Sequence, residues 1–463
     1  MGPKKKVLVI GLDCAAPELV FEKWIDQLPN FKRMVDQGVW GPLKSTIPPI
    51  TVPAWQCMVT SKNPGQLGIF GFRNRSDYSY DNFWIANSTA IKEPAVWDVV
   101  GREGYKVGMI GVPQTYPPKP VNGFMVTDWL APDTNAEYTF PDYIKDDVKQ
   151  AVGDYVLDVE KFRTDNKDEL LEEIYDMTRK RFDLVQAFLE SQPWHFFMFV
   201  EIGLDRIHHG FWKYFDKTHK KYAPANKYEN AILDYHKYLD KRIGEILDSL
   251  DDDTVVLVVS DHGAKKMEGA ININDWLIKE GLMTLKSRPE GLVKLEKADV
   301  DWDKTIAWGL GGYYGRLFMN VKGREKQGVI EPEDYEKVRN EIIEKLAAIT
   351  DEKGNNIGTV AHKPQDVYSG PNIDQAPDLI VFFGDLFWRS TGTIGHDSIH
   401  SFETEVGPDD AVHAQHGIFI LYDPKEKRGK KLDDLEIYDV TPTVLSVMGI
   451  DIPEDMEGKV IPL

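Results

Sequence analysis

The chain is short of cysteine, of uninterrupted apolar sequence and of positive charge, and each shortage narrows what it can be. Its 463 residues include only Cys14 and Cys57, so no disulfide framework is expected and a reducing, cytoplasmic location is. No window approaches the roughly 18 consecutive apolar residues of a membrane span. The opening MGPKKKVLVIGLD is basic and then apolar, but the apolar run stops at Asp13 after about seven residues, short for a secretory core. Fifty-five basic against 75 acidic residues leave a net charge of -20. That balance argues against a nucleic-acid-binding surface and against docking on an anionic membrane. An anionic substrate must then be drawn by local positive charge, and bound metal ions can provide it. Internal repeats and low-complexity linkers are also lacking, and no feature signals an oligomeric state.

What is present is an alternation of apolar runs and helical stretches. Val7 to Leu12, Lys106 to Val112, Phe196 to Val200 and Thr254 to Val259 are continuous apolar runs, the pattern of strands buried on both faces. Asp168 to Glu190 and Asn226 to Leu250 read as helices between them. The expectation is an α/β fold, a mostly parallel sheet with helices on both faces. Between Ala264 and roughly Glu405 the texture changes. Strands at Tyr313 to Val321 and Asp378 to Phe383 flank a charged helix near Pro332 to Ala348, which predicts a smaller α/β insertion or cap. Residues 1–270 and 405–463 are thus assigned to the core and 271–404 to the cap. Thr115 to Pro120 and Thr391 to Asp410 are candidate loops over a site.

In parallel sheets ligands sit beyond the carboxyl ends of the strands, and that is where the reactive side chains fall. Asp13 follows VLVIGL, and Asp261 with His262 follows TVVLVV. Asp205 and His209 are four apart in a segment that can be helical, so both can project from one face, with His208 pointing elsewhere. A carboxylate and an imidazole suit zinc or manganese. Thr51 lies in PPITVPAW, where a helix is expected to start near Pro53. A phosphate anion is favoured beside such amides, and metal coordination would activate the hydroxyl. His413 and His416 compete for a last ligand position. Each of these residues alone has a plainer reading as a helix cap, a polar helix face or a hydrogen-bonded core histidine. Together they form the residue set of a site for two divalent ions about 4 Å apart, where phosphoryl groups are transferred.

In order and spacing, VLVIGLD, TVPAWQCMVTSKNPGQLGIFGF, GLDRIHHGFW, VVSDHG, HAQHGIFILYDP and YDVTPTVLSVMGIDIPEDMEGKV resemble the alkaline phosphatase superfamily, most of all its type I phosphodiesterase and nucleotide pyrophosphatase branch. The resemblance implies a two-metal phosphodiesterase or nucleotide pyrophosphatase acting on a small phosphoester or nucleotide. Thr51 would be the nucleophile, and a phosphothreonine-linked intermediate would follow. Asp205, His209 and His413 would hold one ion, and Asp13, Thr51, Asp261 and His262 the other. His413 matches in register, four residues before Gly417, which leaves His416 as a neighbour. Zinc is the expected metal, with manganese as the alternative. The chain departs from the better-known nucleotide pyrophosphatases three residues after Thr51, where Ala54 and then Trp55 replace a phosphate-contacting asparagine. Lys62, Arg73, Asn74, Trp55 and His416 are the remaining candidates for substrate contact. No CxPxR segment surrounds Cys57, which disfavours sulfatase chemistry. The rival readings are a phosphomonoesterase or phosphomutase of the same superfamily, and an inactive, metal-stabilised binding homologue.

Overall fold

A computed structural model describes residues 4–404 and 406–463; Glu405, the expected point of return to the core, lies outside the described residues. Seven strands carry the main sheet: β1 (Lys6–Leu12), β2 (Val39–Lys44), β3 (Val107–Ile110), β4 (Gly123–Val126), β5 (Phe196–Glu201), β6 (Thr254–Val259) and β7 (His416–Tyr422). Short strands at Lys430–Lys431, Leu435–Glu436 and Thr139–Phe140 extend its edges. The order is β2-β7-β6-β1-β5-β3-β4. β6, β1, β5, β3 and β4 run parallel, whereas β7 is antiparallel to both β6 and β2. The expected strands are all there. β2 was not expected, because VWGPLK carries a proline; it pairs with β7 on one side and with the short edge strands on the other.

The continuous apolar runs are explained by burial on both faces. Leu8, Ile10 and Leu12 of β1, Phe197 and Phe199 of β5, and Val256 and Val258 of β6 face one core, shared with helices α2 (Lys167–Ser191), α3 (Gly203–Phe215) and α4 (Ala231–Ser249). Their alternates Val7, Val9, Met198, Leu257 and Val259 face a second core against α1 (Thr51–Thr60) and α5 (Val440–Met448). Two-residue periodicity thus feeds two hydrophobic layers from each strand. A separate antiparallel sheet of Ala307–Leu310, Gly315–Met319, Leu379–Phe382 and Val360–His362 has its own core around Trp308, Leu317 and Phe318, closed by Ile342 and Leu346 of the helix Tyr335–Ala347. The strand Gly269–Asn272 pairs with Trp388–Thr391 and His400–Ser401, so the chain on both sides of residue 270 is bound to the segment that follows. No helix among the described residues is long and apolar enough to cross a membrane.

One close approach links the sheet to the site. A Cβ on Gly11 of β1 would lie 2.6 Å from Trp55 Cη2 and 2.8 Å from Val200 Cγ2, so glycine is what lets the indole of α1 approach the strand end this closely. Gly11→Ala should therefore destabilise the fold by about 1–3 kcal/mol through overpacking, read as a lower urea midpoint with an unchanged slope. A midpoint equal to the wild type would show that Trp55 is free to move.

Candidate metal and nucleophile site

Five separate chain segments deliver the reactive side chains to one place. Asp13 is the first residue beyond β1, its N–H donating to the carbonyl of Glu201 at 3.0 Å, and Asp261 and His262 follow β6 after Ser260. The turns brace each other. Asp261 Oδ1 accepts the Cys14 N–H at 3.2 Å, and Ser260 Oγ accepts the Ala15 N–H at 2.9 Å. β5 runs through Ile202 into α3, whose N-terminus is held by the Glu201 carboxylate accepting the Gly203 N–H at 2.7 Å. Asp205 and His209, one turn apart on α3, face the site, while the His208 ring turns away to lie between Trp212 and His236. His413 arrives on a short strand, Ala411–Ala414, paired antiparallel with Gly263–Lys266 so that it sits opposite Ala264. Thr51 is the first residue of α1.

These side chains are buried and fall into two groups. Asp205, His209 and His413 form one, joined by Cys14, and Asp13, Asp261 and His262 form the other; within each, the potential ligand atoms lie within 4.8 Å of one another. In the first group His209 Nε2 is 3.3 Å from Asp205 Oδ1 and 3.3 Å from His413 Nε2, and His413 Nε2 is 3.6 Å from Asp205 Oδ1. In the second, His262 Nε2 is 3.1 Å from Asp261 Oδ2, 3.7 Å from Asp13 Oδ1 and 3.3 Å from Thr51 Oγ1. A tetrahedral ion with bonds of about 2.0–2.1 Å sets its ligand atoms roughly 3.3–3.4 Å apart, so these separations suit a cation at the centre of each group. The groups adjoin, with the His262 and His413 rings stacked at 3.7 Å between centroids.

Two further observations fit metal ions. Each histidine has its Nδ1 placed against an acceptor, which leaves Nε2 facing inward: His209 against Asp409 Oδ1 at 2.7 Å, His413 against the Pro49 carbonyl at 3.0 Å, His262 against the Gly263 carbonyl at 3.1 Å. That is how ligating imidazoles are oriented. In addition, Asp13 Oδ1 and Asp261 Oδ2 are buried and make no hydrogen bond with any described residue, an expensive arrangement unless a cation faces them. Burial, then repulsion from Asp205, pushes the Asp13 carboxyl well above the ordinary carboxylate range. Burial, then repulsion from Asp13, does the same to Asp261. Burial also works against the Asp205 carboxylate, but the charge of His209, hydrogen bonds from His209 and His413, and Arg206 outweigh it and hold Asp205 well below that range. The Cys14 thiol, its backbone at a positive φ of 69°, donates to the Gly263 carbonyl at 3.4 Å, and burial pushes its pKa well up.

A cavity of about 470 Å³ opens onto the first group and Thr51. The structure brings Arg73 to its wall but places the other candidate substrate contacts elsewhere. Trp55 is buried behind Asp13, its indole N–H donating to Asp13 Oδ2 at 2.8 Å. Lys62 pairs with Asp455 at 2.7 Å. Asn74 closes its own loop, accepting from the Phe70 N–H and donating to the Gly71 carbonyl. His416 is exposed at the start of β7, opposite Lys44.

The sequence reading had no place for Asp409, Arg163 and Tyr313. Asp409 accepts from Arg163 Nε at 3.0 Å and from the Tyr313 hydroxyl at 2.9 Å while holding His209. The Tyr313 ring covers His209 and His413 at 4.9 and 4.3 Å between centroids. Asp409 had one signal, its position four residues before His413 inside a segment already expected to lie over the site. Tyr313 and Arg163 had none.

Residues 7–419 match the family model described as type I phosphodiesterase / nucleotide pyrophosphatase. A search of curated proteins finds no match. Among solved structures, human ectonucleotide pyrophosphatase / phosphodiesterase 5 is similar over 97% of each chain, with a TM-score of 0.55 at 12% identity, a likeness of fold. The family match spans the main sheet from β1 into β7 and includes every residue of both ligand groups, so the chain belongs to the type I phosphodiesterase / nucleotide pyrophosphatase family.

Proposed function

We propose that the chain is a two-metal phosphodiesterase or nucleotide pyrophosphatase in which Thr51 is the nucleophile. The observation that carries the reading is the position of Thr51 Oγ1. It sits at the start of a helix, 3.3 Å from His262 Nε2, at the wall of a cavity that also reaches Asp205, His209 and His413. Asp205, His209 and His413 would hold one ion, and Asp13, Asp261 and His262, with Thr51, the other. Bound there, divalent cations would polarise the phosphoryl group and stabilise charge on the attacking and leaving oxygens; zinc suits the nitrogen and oxygen donors, and manganese is the alternative.

The residues supply the rest. Thr51 Oγ1 would form the new bond to phosphorus as the bond to the leaving oxygen breaks, the hydroxyl proton ending on the departing oxygen. Water would then cleave the phosphothreonine ester and return a proton to Oγ1. The N-terminus of α1 favours the phosphate anion throughout. Trp55 would orient Asp13, and Asp409 would orient His209. We take residues 271–404 to act as a cap over the site, because Gly311, Tyr313 and Arg316 from that segment line the cavity. Two buried, unpaired thiols support a reducing, cytoplasmic setting. The lean to diesters rests on charge. A monoester dianion needs more positive charge beside Thr51, and the arginine next to the ligands, Arg206, is already bound by Asp158 and Asp205.

Two experiments test the reading. Thr51→Ala should keep the fold and its metal content yet lose turnover by orders of magnitude, with Thr51→Ser retaining measurable activity; near wild-type turnover in the alanine variant would remove Thr51 from the mechanism. A comparison of kcat/KM for a bis-aryl phosphate and an aryl monoester under matched metal should favour the diester. A monoester preference of tenfold or more, about 1.4 kcal/mol at the transition state, would overturn the diesterase assignment in favour of a phosphomonoesterase.

A further inference from the structure

One side chain of the first ligand group has no role in the resemblance. Cys14 follows Asp13, is fully buried, and its Sγ lies within 4.8 Å of ligand atoms of Asp205, His209 and His413. The chain's other thiol has no such surroundings, since Cys57 packs in an apolar cluster with Val52, Leu67, Ile69 and Ile91. The charges of Asp205, Asp13 and Asp261 all bear on the Cys14 thiol. Its backbone is fixed to the site as well. The Cys14 N–H donates to Asp261 Oδ1 at 3.2 Å, and Oδ2 of that carboxylate is buried without a partner, which marks a place that calls for a cation. The φ of 69° is a conformation that glycine adopts freely and cysteine does not. The plainer reading of Cys14 is a small buried group with a weak S–H donor. However, the Gly263 carbonyl that accepts the thiol at 3.4 Å also faces His262 Nδ1 at 3.1 Å, so it does not depend on the S–H.

We propose that Cys14, through its thiolate, is a fourth ligand of the ion held by Asp205, His209 and His413, and that it makes this position select zinc over manganese. The inference rests on the two-metal part of the reading above and replaces its open choice of metal at this position. The S–H proton passes to solvent as the sulfur–metal bond forms, so no oxidant or reductant is involved. A bound cation deprotonates a coordinating thiol outright, against the effect of burial. Thiolate is a soft donor that suits zinc, whereas manganese favours carboxylate, carbonyl and water oxygens. Four protein donors complete a tetrahedral set, so a phosphoryl oxygen would enter as a fifth.

Cobalt(II) in place of zinc reports a thiolate ligand directly, because sulfur-to-cobalt charge transfer gives a near-ultraviolet absorption band that nitrogen and oxygen donors do not. The full chain, stripped with chelator and loaded with cobalt, should show this band, and Cys57→Ser should keep it. Cys14→Ser and Cys14→Gly should lose it; glycine suits the positive φ, so the second variant leaves the backbone as it is. In competition between zinc and manganese, the preference for zinc should fall at least tenfold in both Cys14 variants. Cobalt uptake by the wild type without the band, the same band in Cys14→Gly, or an unaltered metal preference would overturn the thiolate and leave the two-metal reading standing. A wild-type chain that binds neither cobalt nor zinc would overturn both.

Discussion

Three carboxylates, those of Asp13, Asp205 and Asp261, are buried side by side, and their mutual repulsion in a water-poor interior is the constraint around which the rest of the site is arranged. Protein groups answer only part of it. Asp205 has Arg206 and two imidazoles, whereas Asp13 has one indole N–H and Asp261 a backbone N–H. One oxygen on each of the last two carboxylates has no hydrogen-bond partner, and each faces His262 Nε2. Removing charges from water costs several kcal/mol per ion even after relaxation. A fold that keeps such a cluster at the ends of its most buried strands calls for positive charge there, and two divalent cations would supply it in the least space.

The same constraint explains why so much of the chain is committed to orientation. The ends of β1 and β6 are tied by Cys14 and Ala15 to Asp261 and Ser260, and α3 is capped by Glu201. The chain between β6 and β7 adds Tyr313, which lies over two histidines and hydrogen-bonds Asp409, while Arg163 closes the same network from the chain before α2. Residues remote in sequence thus fix the imidazole of His209, and small errors in that orientation carry large penalties in metal affinity.

Much of this was legible in the sequence because it depends on local geometry. Asp13, Asp261 and His262 follow apolar strands, and strand ends are where open α/β sheets gather ligands. Asp205 and His209 are one helical turn apart. What was not legible depends on how distant segments dock. Lys62 is near Thr51 in sequence, but α1 runs between them and separates their backbones by roughly 15 Å at the rise of an α-helix; its amine meets Asp455 instead. Trp55 follows Ala54, the position where the family resemblance implied a phosphate contact, yet one helical turn from Thr51 and facing the sheet it meets Gly11 and Asp13. Arg316 and Tyr313 lie more than two hundred residues from Thr51, and no spacing rule joins them to it.

The buried carboxylates and imidazoles would hold two cations. The most direct measurement is a calorimetric titration of zinc into chelator-stripped protein, with elemental analysis of the loaded chain. Two ions per chain should bind, with protons released on binding and a higher unfolding temperature in the loaded protein. A stripped chain that takes up no zinc or manganese, and unfolds at the same temperature with and without them, would contradict it.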